Sequence, residues 1–235
     1  AEAFDSCTRL ASITIPSGVT SIGGRAFYGC INLPSITIPD SVAILQNQTF
    51  ERCTNLTSIT IGNGITNIGN GAFLYCASLT SITIPDSVAS IGEGAFFGCS
   101  SLTSITIGDG LTSIGLGAFS GCRDITSITI PDSVTSIGDG AFNGCTSLTS
   151  VAIGNGVTSI GDRAFKNLRS LTNITIPDDV NSIGDSTFGN CTSLSAITFL
   201  GNAPKIENDA FEGSSPTIYR EADAKGWGDT LAGRP

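Results

Sequence analysis

Phenylalanine returns every 23 residues without a slip, at Phe4, Phe27, Phe50, Phe73, Phe96, Phe119, Phe142, Phe165, Phe188 and Phe211. A fixed period of this size is the mark of a solenoid, in which each short unit buries its apolar face against the next. Ten copies in one phase leave almost no stretch of the 235 residues for an unrelated domain. The core then grows along one axis and not as a sphere, and neighbour contacts stabilise units too small to fold alone.

One unit shows the pattern. Leu102 to Phe119 reads L-T-S-I-T-I-G-D-G-L-T-S-I-G-L-G-A-F, with Cys122 following. Ser104-Ile105-Thr106-Ile107 alternates polar and apolar residues and is β-branched, which predicts a half-buried strand. Stacked with its counterparts it predicts a parallel sheet with about 4.8 Å between rungs. The residue that ends this strand alternates along the chain: Pro39, Gly62, Pro85, Gly108, Pro131, Gly154, Pro177. Both make turns, proline by presetting φ and glycine by permitting positive φ. Strict alternation points to a duplication unit of 46 residues, a pair of repeats. A second short extended piece follows, as in Val134-Thr135-Ser136-Ile137. Gly138 to Cys145 is too short and too glycine-rich for a stable α-helix, which predicts a single helical or 3₁₀ turn.

The strand signature L-x-x-I-x-I, continued by V-x-x-I-G-x-x-A-F-x-x-C-x-x-L, resembles the BspA-like (treponemal-type) leucine-rich repeats. Leu148 to Leu171 carries the pattern through, with Leu168 in the cysteine slot. The resemblance covers residues 1–211 as about ten repeats. It implies a curved right-handed stack, with the parallel sheet on the concave face and short strands and single turns elsewhere. Residues 212–235 are expected to cap the open end. The tail Thr217-Ile218-Tyr219 and Trp227 fits the family's closing strand, short helix and Gly-Trp, with Arg220-Glu221 in place of Val-Pro. Because Ala1 to Phe4 already lie inside a repeat, the chain reads as a segment of a longer one.

Chemistry is scarce. With no histidine, the commonest acid–base and metal-binding side chain is missing and a Ser-His-Asp triad cannot form. No enzyme, cofactor or small-molecule substrate is expected. A net charge of −9 disfavours nucleic acid, which needs Lys and Arg at phosphates. Without a long apolar run, no membrane insertion is expected. The eight cysteines share one phase, Cys7 to Cys145 and then Cys191. Stacked side chains about 5 Å apart sit too far apart for disulfides, whose Cβ atoms lie near 3.8 Å, so a ladder of free thiols is expected. Asp40, Asp86, Asp109, Asp132 and Asp178 share a turn position. Calcium is the tempting reading, but a tight turn favours Asp there anyway, and six to eight oxygen ligands are not in view.

Two surfaces offer themselves to a partner. The outward strand row contains Thr60, Thr83, Thr106 and Thr129, polar and small. Just after the phenylalanine, Tyr28, Leu74, Tyr75 and Phe97 are bulky where other repeats carry small or polar residues. Arg163, Lys166 and Arg169 form a small basic cluster. The resemblance implies a non-enzymatic protein-interaction or adhesion module, extracellular or at a microbial cell surface, with a host matrix or cell-surface protein as partner. The alternative is a structural spacer with no ligand of its own, which the uniform repeats suit.

Overall fold

Three ladders of hydrogen bonds, one on each side of the coil, hold the repeats together. In the computed structural model, which describes residues 1–207 and 209–228, the chain forms a parallel β-solenoid. Each coil lies on the last in a register of 23 residues, as in Ser81↔Ser104 through Ile84↔Ile107. The isoleucines of these four-residue strands face inward and the Ser and Thr outward, the alternation the pleat requires.

The second side is a continuous ladder of eight two-residue strands, from Ile44–Leu45 to Lys205–Ile206. Its inward residues, such as Ile91, Ile114 and Ile137, are buried. On the third side, where one helical or 3₁₀ turn was expected, no helix of either kind occurs among the described residues. Alternate amides here do different jobs. Ala118 and Ser120 donate to carbonyls three residues back, at 3.2 and 3.0 Å. Gly117, Phe119 and Gly121 instead donate to Asp139, Ala141 and Asn143 of the next coil, at 2.7–2.8 Å. Left-handed φ at Gly117 (58°) and Gly121 (74°) turns those amides outward and prevents a helix from continuing.

The core is a column of rings. Phe4 to Phe211 stack with centroids 5.1–5.8 Å apart and planes within 15°. Each ring from Phe27 onward is buried. Burial of such a side chain stabilises by about 1.5–3 kcal/mol, and ring pairing adds about 0.5–1.5 kcal/mol. Beside the rings runs the thiol ladder. All eight cysteines are free, and all but Cys7 are buried. Each buried Sγ–H donates to the carbonyl of a phenylalanine 26 residues earlier, as Cys122 does to Phe96 at 3.3 Å. Leu168 fills the same slot, fully buried.

The long-strand side is not continuous. Ser35–Thr37 pairs with Ser58–Thr60, Ser81–Ile84 with Ser104–Ile107, and Ser127–Ile130 with Ser150–Ile153. No strand pairing joins one couple to the next. Each break falls where a glycine-ended strand meets a proline-ended one. In two of the couples the residue after the strand donates backward: Gly108 to Ile84 at 2.9 Å, Leu200 to Ile176 at 3.0 Å. Pro85, Pro131 and Pro177 hold that position at the breaks and have no N–H to give. Correspondingly Ile59, Ile105, Ile107 and Ile153, all on glycine-ended strands, are only partly covered. The 46-residue alternation is thus a physical module and not only a trace of duplication.

The aspartates of the turns work between coils. Asp40 Oδ1 accepts the Asn63 N–H at 2.7 Å, Asp86 that of Asp109 at 3.1 Å, and Asp132 that of Asn155 at 2.7 Å. Asp139 and Asp162, though exposed, cap in the same way the amides of Asp162 and Asp185, at 2.9 and 2.8 Å. At the far end, strand Thr217–Arg220 pairs with Ala196–Phe199, and Trp227 packs edge-on against Phe199 at 5.0 Å. The short helix implied before Trp227 is replaced by turns. Residues 229–235 of the expected cap lie outside the described residues.

Candidate interaction site

The residues singled out in the sequence fall on two sides of the coil, the long-strand face and the third side. Thr60, Thr83, Thr106 and Thr129 are exposed on the long-strand face. Thr83 and Thr106 are paired in register, while Thr60 and Thr129 belong to neighbouring couples across breaks in the ladder. Tyr28 is half-buried, its ring under the Arg25 guanidinium at 4.1 Å. Leu74, Tyr75 and Phe97 come together on the third side, in a trough of about 770 Å³. None of the four threonines reaches it.

The trough exists because of a local sequence accident. One position of the third side adopts left-handed φ in every coil from the first to the ninth, between 50° and 61°, whatever the residue: Glu2, Arg25, Gln48, Gly71, Gly94, Gly117, Gly140, Arg163, Ser186. The backbone therefore does not demand glycine there. Four consecutive glycines nevertheless occupy it, and the missing side chains leave a shelf that Gln48 closes at one end and Arg163 at the other.

Apolar exposure gathers along this shelf. Tyr75 is 42% exposed, Phe97 36% and Leu116 52%. Tyr75 and Phe97 meet edge to face with centroids 5.6 Å apart. The Tyr75 ring lies against the backbone of Gly98, where a Cβ would come within 2.7 Å of it. Leu74, one of the bulky residues singled out in the sequence, is half-buried. Leu116 was missed by sequence reasoning. Its signal was available: it stands where neighbouring repeats carry Asn70, Glu93, Asp139 and Asp162.

The other half of the trough is acidic. Asp139 and Asp162 line it, Glu93 stands on the coil of Phe97 in the apolar half, and Arg163 is the one basic group in the trough's lining. The Arg163 guanidinium is itself 3.8 Å from Asp185. Lys166, of the same basic cluster, pairs with Glu212 at 3.8 Å. The floor offers no free backbone donors. Gly71, Gly94, Gly117 and Gly140 each donate to the next coil, at 2.7–2.8 Å. The floor therefore has no glycine amide left to pair with an added strand. Among the described residues no cluster of three or more Cys, Asp or Glu could hold a metal ion, and no helix is long and apolar enough to cross a membrane.

Comparison with known families matches the BspA type leucine rich repeat region, in six copies, over residues 1–126 and 112–220. Among solved structures, a leucine-rich repeat protein from Bacteroides ovatus ATCC 8483 is 34% identical, with a TM-score of 0.82 over 94% of this chain and 58% of that one. The chain thus spans little more than half of that relative. The leucine-rich repeat protein of T. pallidum is 28% identical, with a TM-score of 0.58 over 78% of each chain. One from Eubacterium ventriosum ATCC 27560 is 27% identical, with a TM-score of 0.51 over 84% of this chain and 61% of that one. No curated protein matches.

Proposed function

Because this chain belongs to the BspA-type leucine-rich repeat family, we propose that it is a protein-interaction module of a bacterial protein that is secreted or displayed at the cell surface, and that it serves in adhesion. Such repeats stack into extended surfaces that bind partners without catalysis. The observation that carries the reading is the concentration of Tyr75, Phe97 and Leu116 in one trough on otherwise polar coils. Exposed apolar residues that cluster mark contact surfaces, whereas scattered ones do not.

Surface interferometry against a panel of extracellular matrix proteins tests it. A partner should bind in the micromolar range or tighter, and Tyr75→Ala/Phe97→Ala should weaken it by about tenfold or more, as loss of aromatic anchors does. No binding to any panel member at high micromolar concentration would count against the reading. The uniform outward Ser and Thr rows support a second reading, a spacer that holds another domain away from a surface. It predicts that no panel member binds and that any binding maps outside these repeats.

A further inference from the structure

The geometry points to the occupant of the trough: a short extended segment of a partner protein that carries a bulky apolar side chain beside lysine or arginine. The inference rests on the protein-binding reading above and specifies its ligand. Four glycine coils at about 4.8 Å each make a shelf roughly 15–20 Å long, which matches five or six extended residues at about 3.3 Å apiece. One end is apolar, with Tyr75, Phe97 and Leu116 exposed. Toward the other end stand Asp139 and Asp162, while Glu93 stands within the apolar end, on the coil of Phe97. A chain of net charge −9 adds a long-range pull on a cationic segment. With the floor amides already donating to the next coil, side chains set the specificity.

A glycan is the weaker fit. Phe97 and Leu116 offer sugars no hydrogen bonds, and the edge-to-face Tyr75–Phe97 pair does not present a flat double platform.

The experiment selects from a displayed library of eight-residue peptides on the whole chain, then measures affinities of selected peptides. Two variants separate shape from charge. Gly117→Gln fills the shelf with the side chain that Gln48 already places at the same left-handed position. Asp139→Asn/Asp162→Asn removes two charges but keeps the cap, since Asn47 and Asn70 make the same bonds, at 2.9 and 3.0 Å. Selected peptides should combine an aromatic or leucine with Lys or Arg. Each variant should weaken them about tenfold or more, the charge variant less at high salt; melting should be unchanged in the charge variant and lowered by only a few degrees in Gly117→Gln, whose left-handed backbone strains any side chain.

Peptides without basic residues, indifference to Gly117→Gln, or glycan-array binding that Gly117→Gln abolishes would each overturn the inference. If matrix-protein binding survives both variants, the assignment to the trough falls while the protein-binding reading stands. If the wild-type chain binds neither peptides nor matrix proteins, both fall.

Discussion

At the residue scale, the phenylalanine and cysteine slots were the most legible part of the molecule. Identical side chains in identical phase can satisfy burial only by stacking, so Phe27 to Phe211 were bound to form a column. Leu116 escaped because one leucine among Asn70, Glu93, Asp139 and Asp162 looks like noise until the coil shows which way that position faces. The thiol ladder yields a prediction that follows from burial. Burial, with repulsion from the thiolate one coil away, pushes Cys53 up to about 12 from its ordinary 9.0. Burial pushes Cys145 up to about 12 and Cys191 to about 11, and drives Cys76, Cys99 and Cys122 well above the ordinary value. In the unfolded chain these thiols ionise from about pH 9, while the folded chain keeps them protonated, so the native state binds more protons. Their contribution is therefore complete below pH 9 and is lost as pH rises from about 9 to about 12, by up to about 1.4 kcal/mol per pH unit for each thiol. Urea midpoints under reducing conditions should fall between about pH 8 and about pH 10.5, less steeply in Cys76→Ala/Cys99→Ala. Equal slopes in the two proteins would contradict the burial.

At the scale of the element, the strands were readable from alternation, whereas the third side was not. Glycine content argued against a long helix but could not show that amides such as Phe119 N–H pair across coils. That pairing depends on neighbours 22 residues away, as Phe119 N–H to Ala141, which local propensity does not see. The Pro/Gly alternation was visible, yet its consequence appears only in the ladder. Thr103, Thr149 and Ser195 N–H groups donate within couples, each at 2.9 Å, to Thr80, Thr126 and Thr172. At the breaks between couples the Thr126 and Thr172 amides make no such bond, whereas Thr80 keeps a longer one, to Thr57 at 3.2 Å. Native-state hydrogen exchange should therefore be fast at Thr126 and Thr172 and slow at Thr103, Thr149 and Ser195. Uniform protection along the series would mean the sheet is continuous.

At the scale of the whole molecule, the architecture and the family were readable from period and motif, because every coil repeats the same burial problem. The trough was not. It comes from an absence, four glycines where other coils carry Gln48 or Arg163, and from walls supplied by two positions that the coil brings to opposite sides of the shelf. This division explains how a stack of near-identical units can hold one distinct surface: the core admits only apolar fillers, while the third side's left-handed position holds residues as different as Glu, Arg, Gln, Gly and Ser. The most direct test is a hydrogen-exchange footprint of the chain saturated with a matrix partner or a selected peptide. The account predicts added protection at 70–75, 93–98, 116–121 and 139–143, with the outward Ser and Thr strands unchanged. Protection confined to the strands bearing Thr60, Thr83, Thr106 and Thr129 would contradict it.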